Sequence, residues 1–191
     1  MHLPSLSSDQ IPDTLRTTSA GGILGKTGVI DSVVSDGTEM TVFVVTKTES
    51  EQLRAYYSQR PKLPTSEDGR HQLFYRPYHF APQTTRTIAS AVLFGSPTAA
   101  PIAHTAEVAA AAKRDLAPGE TIDGGGGYTI YGVAEDATRA SKEGYVPFEL
   151  LSGAEVTASI ERDEVITEDA VEIDTEQPMY YMRKLQDELG L

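Results

Sequence analysis

The spacing of apolar and polar positions divides the chain into short elements. "TGVIDSVV" and "MTVFVVT" are rich in β-branched residues and predict two strands, joined by the turn "SDGTE". "SEQLRAYYSQR" places Leu53, Tyr56 and Tyr57 at i, i+3, i+4 on one helical face. The Pro- and Gly-bearing "PKLPTSEDGRH" is a loop, and "QLFYRPYHF" is an extended segment interrupted at Pro77, as an edge or a bend requires. Thr84 or Thr85 can cap a helix over "RTIASAVLFG", which Gly95 closes. Before all of these, Ser7 and Gln10 have capping-box spacing for a short helix over about Asp9–Arg16.

From about residue 104 the texture changes to short strand candidates separated by turn residues. "DLAPGETID" (Asp115–Asp123) and "SIERDEVIT" (Ser159–Thr167) superpose without gaps, matching Leu116 with Ile160, Glu120 with Glu164 and Ile122 with Ile166. Two such strand–turn–strand units predict a pseudo-twofold β module. Between them lie four consecutive glycines, Gly124–Gly127, which lack a Cβ and permit positive φ and close backbone approach. They either turn main-chain N–H groups toward a ligand or form a sharp crossover of the fold. The chain ends in "PMYYMRKLQDELGL", an amphipathic helix opened by Pro178 with Met179, Met182 and Leu185 along one face. The apolar Met179, Tyr180, Tyr181 and Met182 predict that this helix docks, within or between subunits.

Composition narrows the function. Across 191 residues, 28 acidic against 16 basic side chains give a net charge of −12, which disfavours a nucleic-acid partner. The chain has no cysteine, which removes disulfides, thiolate metal sites and Cys nucleophiles. No signal-peptide pattern opens the chain and no apolar run is long enough for a membrane span, so a cytoplasmic protein is expected.

Few segments have the spacing that chemistry needs. "GGILGKTG" fails as a phosphate loop, because Gly25-Lys26-Thr27 requires a glycine where Ala20 stands and leads into a strand rather than a helix. The histidines show no metal-ligand spacing, and the C-terminal carboxylates miss the pattern of a calcium loop. "AKRDL" reads as a charged turn before a hairpin. The best cluster is "FYRPYHF". In an extended segment Arg76 and Tyr78 share one face while Tyr75 and His79 share the other, unless Pro77 twists the strand. Arginine can grip a carboxylate or phosphate at two points, and histidine can move a proton near neutrality.

"AEVAAAAKRDLAPGETIDGGGGYTIYG" followed by "LLSGAEVTASIERDEVITEDAVEI" resembles the SAF domain, the small β-clip module of sialic-acid synthases, type III antifreeze proteins and sugar-acid dehydratases. Its "AKRDL" and "GGYTIYG" stretches are similar to the C-terminal SAF region of homoserine-dehydrogenase-like NAD(P)-dependent oxidoreductases. That group includes proteins resembling 1-deoxyxylulose-5-phosphate reductoisomerase in reaction. "GGILGKTGVID", "YRPYHF" and "AVLFG" come in the order expected of the middle, catalytic-type domain of such proteins.

The resemblance implies an α+β architecture in three parts. Residues 1–103 are a mixed α/β remnant of the central catalytic-type domain, 104–174 the β-clip SAF domain and 175–191 the C-terminal helix. It implies substrate-binding roles for Lys26, Tyr75, Arg76 and Tyr78, and a catalytic role for His79. It also implies an N-terminal Rossmann domain, yet no G-x-G-x-x-G occurs, and the chain begins as though cut from the centre of a longer protein. The family's carboxylate after the "RPYH" segment is missing too, since no acidic residue occurs between Asp68 and Glu107.

The leading expectation is therefore the substrate-side and SAF portion of an oxidoreductase acting on a small phosphorylated or carboxylated polyol. It binds no cofactor or metal alone, takes NAD(P) from a Rossmann partner, and forms a homo-oligomer. The alternatives are a stand-alone SAF module that binds a sugar acid or a protein, and an inactive truncated gene product.

Overall fold

The computed structural model describes residues 6–33, 41–77, 80–100 and 102–189. In chain order the first elements are α1 (Ile11–Thr14), β1 (Val29–Ile30), β2 (Thr41–Lys47), α2 (Glu51–Ser58), β3 (His71–Pro77) and α3 (Phe80–Phe94). Next come β4 (Ala106–Ala112), β5 (Ile130–Asp136), α4 (Ala137–Lys142), β6 (Glu155–Val156), β7 (Val171–Glu172) and α5 (Pro178–Leu189). The fold is α+β and ends in a helix. Two compact units share the chain: one comprises Leu3–Ile23 and Ser35–Ile102, the other Met1–His2, Leu24–Val34 and Ala103–Leu191.

In the first unit, β2 and β3 pair antiparallel from Thr41 opposite Pro77 to Lys47 opposite His71. Pro77 ends the strand because it has no N–H to donate onward. Between the strands, Ser50 caps α2 by accepting from the Leu53 N–H at 3.4 Å. Tyr57 of α2 then packs edge-on against Phe74, with ring centroids 5.8 Å apart. The small core is Ile11, Pro12, Leu15 and Leu73, where α1 meets β3. The loop before β3 is fixed by Asp68. Its carboxylate accepts from the Ser66 hydroxyl (2.6 Å) and the Arg70 N–H (2.9 Å) and lies 3.5 Å from Arg16. The Ser66 hydroxyl is the largest influence holding the Asp68 pKa below its usual range, although burial opposes it.

Three local expectations shift. The first helix runs only over Ile11–Thr14, because Leu15 leaves the helical region at φ −91°, ψ 52°. The helix expected to be capped at Thr84 or Thr85 starts at Phe80. Pro82 sits in its first turn, where a missing N–H costs nothing. Its end is as expected: Gly95 has φ +60° and donates to Ala91. "TGVIDSVV" gives only the two-residue β1, whose partner is β5 rather than β2, and the turn "SDGTE" lies outside the described residues.

The second unit holds the three-stranded antiparallel sheet β1-β5-β4 and the two-stranded sheet β6-β7. The run Ala109–Ala112 on β4 is fully buried. Ala110 and Ala112 face the main core of Leu116, Ile122, Ile130, Val146, Leu151 and Ile166, whereas Ala111 faces Tyr131 and Val133. Small side chains suit a strand covered on both faces. Asp136 accepts from the Arg139 N–H (3.0 Å) and caps α4, which sequence patterning did not bring out.

The internal echo is visible in the backbone. Leu116 and Ile160 exchange reciprocal hydrogen bonds of 2.9 and 3.0 Å. Ile122 donates to Ala154 while Ile166 donates to Ala110, each at 2.9 Å. The two turns also agree. Glu120 accepts from Ala117 N–H and Glu164 from Glu161 N–H, both at 2.8 Å, and the matching Gly119 and Asp163 have φ +87° and +65°. Each of these turn contacts has a counterpart at the same sequence offset.

On α5, Met179, Met182 and Leu185 share an exposed face. The helix is held instead by Arg183, which pairs with Glu107 on β4, and by Gln177, which donates to the Leu150 carbonyl at 3.3 Å.

Candidate functional site

In the first unit, β3 and α3 enclose an open cleft of about 490 Å³. Arg76 enters it from the end of the strand. Gln83, Arg86, Thr87 and Ser90 enter from the helix, and Ser96 and Thr98 from the segment after it. The helical four sit at i, i+3, i+4 and i+7, so one stripe of α3 faces the cleft with polar side chains only. Among the described residues, neither Arg76 nor Arg86 forms an ion pair or a hydrogen bond with a side chain. Two unpaired guanidinium groups beside hydroxyls and a primary amide form a donor-rich surface for an anion.

The other expected site residues are placed differently. Tyr75, opposite Phe43, is half exposed and does not line the cleft. Tyr78 and His79 lie outside the described residues. Lys26 belongs to the other unit, where it is partly buried. Arg86, Gln83, Thr87 and Ser90 were missed by the sequence reading. Their helical spacing is the signal in the sequence that could have found them.

In the second unit the glycine run is followed by a turn that closes on one carboxylate, against which Gly127 packs. Asp123 accepts from the Tyr128 N–H (2.6 Å), the Thr129 N–H (3.1 Å) and the Thr129 hydroxyl. A Cβ on Gly127 would fall inside that carboxylate, and Gly124 and Gly126 have φ +82° and +78°. The N–H groups of Tyr128 and Thr129, directly after the run, are thus taken by the protein's own anion. Burial pushes the Asp123 pKa up, but the hydrogen bonds from Thr129 and Tyr128 outweigh it and hold the pKa below the ordinary 3.8. A depressed folded pKa contributes stability above the unfolded value, and that stability is lost as pH falls through the folded one. The carboxylate is exposed and screened by solvent, so Asp123→Ala is expected to lower stability by only about 0.5–1.5 kcal/mol at neutral pH. The gap from wild type should narrow on acidification to about pH 3. Urea unfolding at the two pH values checks this, and an unchanged gap would rule it out.

Two further polar nodes are structural. The Lys113 ammonium donates to Asp31 (3.0 Å) and to the Gly127 carbonyl (2.6 Å), tying the glycine run to the segment after β1. The Tyr131 hydroxyl donates to Asp163 at 2.7 Å, and burial, helped by that carboxylate, pushes the tyrosine pKa up. A Cβ on Gly25 would strike the Asp163 carboxylate, which accounts for the glycine in "GGILGKTG" and puts a negative charge where a phosphate loop would need none.

Among the described residues, no group of three His, Asp or Glu side chains is arranged to hold a metal, and no helix is long and apolar enough to cross a membrane. No curated protein matches the chain. Residues 1–82 match the family model for the oxidoreductase DRL catalytic domain and residues 107–172 that for the SAF domain, so the first part is similar to an oxidoreductase catalytic domain and the second to a SAF domain.

Proposed function

We propose that these residues form the substrate-side and SAF portion of a homoserine-dehydrogenase-like oxidoreductase that acts on a small phosphorylated or carboxylated polyol. The nicotinamide is bound by a Rossmann domain outside these 191 residues. Arg76 carries the reading. It stands in the segment matching the catalytic-domain model, lacks a carboxylate partner among the described residues, and opens onto a cleft lined with hydroxyls. Its role is to hold the substrate's anion, with Tyr78 as a further substrate contact and His79 as the proton carrier. The SAF domain builds the oligomer.

Two observations support a borrowed cofactor. Every described strand pairs antiparallel, in sheets of two or three strands, and so offers no parallel crevice for a dinucleotide. The C-terminal half of α3 also exposes Val92, Leu93 and Phe94, the last at 78 %, which suits a surface that another domain covers.

The test is nicotinamide turnover with the purified chain alone and mixed with a Rossmann protein of homoserine-dehydrogenase character. Turnover is expected only in the mixture. Arg76→Ala should raise KM by about 100-fold, the loss of a charge-assisted two-point contact. Tight NADH or NADPH binding by the chain alone would overturn the borrowed cofactor, and an unchanged KM would overturn the role of Arg76.

A further inference from the structure

We infer that the cleft between β3 and α3 is a phosphate-monoester site, in which Arg86 grips the phosphate jointly with Arg76. The polar stripe of α3 meets the polyol. The inference rests on the function proposed above only in taking that ligand to be the substrate.

The charge pattern is the first support. The protein has 28 acidic side chains against 16 basic ones, so an arginine at its surface has many possible partners. Between Asp68 and Glu107, however, the sequence holds Arg70, Arg76 and Arg86 and no acidic residue at all. Two of these three line one cleft, and neither is paired among the described residues. A local positive island on a strongly negative molecule concentrates small anions that the rest of the surface repels.

The donor set is the second support. Two guanidinium groups present up to ten N–H donors and two positive charges. A carboxylate carries one charge on two oxygens and is satisfied by a single arginine. A phosphate monoester carries close to two charges on three terminal oxygens near neutral pH, which matches a pair. Gln83 stands in the first turn of α3, where the aligned peptide dipoles add partial positive charge. Further along the stripe, Thr87 and Ser90 offer hydroxyls, and Thr98 approaches Thr87 at 3.4 Å from the opposite rim. These groups both donate and accept, as hydroxyls of a polyol require.

The phosphate has two sources to separate: the ester of a small polyol, to which the inference commits, or the phosphate of a nucleotide. The test titrates glycerol 3-phosphate, glycerate, ADP and inorganic phosphate into the full chain, monitored by calorimetry and by amide shifts of residues 83–90 and 96–98. Glycerol 3-phosphate is expected to bind more tightly than glycerate or ADP and to shift those amides. Arg86→Gln and Arg76→Gln should each weaken it by about tenfold or more. Arg86→Lys should recover part of the loss, and Arg70→Gln, an arginine outside the cleft, should change nothing. Arg86 is exposed, so its variants should fold.

No binding of any phosphate, an unchanged affinity in Arg86→Gln, or equal affinity for glycerate would each overturn the inference. Tighter binding of ADP would overturn the polyol ester. The outcome is separable from the oxidoreductase reading. Arg86-dependent phosphate binding without turnover in the reconstituted mixture leaves the site standing and the reading fallen, whereas turnover indifferent to Arg86→Gln does the reverse.

Discussion

Ile166→Ala is expected to destabilise the second unit by about 2–5 kcal/mol, and Ile122→Ala by a similar amount. Both side chains are essentially inaccessible and lie in one cluster with Leu116, Leu151 and Ile160. Each also sits on an N–H that crosses to the other half, Ile122 to Ala154 and Ile166 to Ala110. Those bonds limit how far the backbone can relax around the lost atoms, so a cavity should persist. Because the two positions are related by the internal echo, their penalties should be comparable. In the double variant they should combine non-additively, since both open onto the same core. Urea unfolding of the two single variants and the double checks this. A penalty below about 1 kcal/mol at one position and a full one at the other would show that the packing does not follow the backbone symmetry.

Lys113→Met is the second large effect, expected at about 3–5 kcal/mol. Methionine keeps much of the apolar stem, so the loss isolates the ammonium and its bonds to Asp31 and the Gly127 carbonyl. The Asp31 side chain is only 3 % exposed. Removing the ammonium takes a charge-assisted bond from this buried carboxylate, which also accepts from the Ser32 N–H at 2.8 Å, and a low-dielectric site penalises that loss more than it rewarded the pair. Adding Asp31→Asn should therefore recover much of the stability. The loss should also vary little with salt, because a buried pair is weakly screened. If Lys113→Met stays within about 0.5 kcal/mol of wild type, the node contributes nothing to the fold.

Local features were legible because local physics decides them. The end of β3 at Pro77, the αL glycine after α3 and the Pro178 start of α5 depend on residues within one turn of where they act. The echo of Leu116, Glu120 and Ile122 in Ile160, Glu164 and Ile166 predicted a twofold module, and the two turns do match, since like sequences take like turns. The failures are non-local. Nothing in "TGVIDSVV" says that Val29 will pair with Val133 rather than with the next strand along the chain. The cleft is harder still, because Arg76 and Arg86 belong to different elements and only their juxtaposition makes an anion site. Tyr75, singled out beside Arg76, points to the opposite face of β3 by the alternation of the strand.

The exchange of hydrogen bonds between the two echoing stretches makes neither of them self-sufficient. Leu116 and Ile160 supply each other's acceptor, and the amides of Ile122 and Ile166 find theirs at Ala154 and Ala110, each just ahead of the other stretch. Severing one stretch therefore strands polar backbone of its twin inside an apolar interior. The duplicated halves must melt together. A module of this kind cannot be trimmed to a single copy and remain folded, however alike the copies look in sequence.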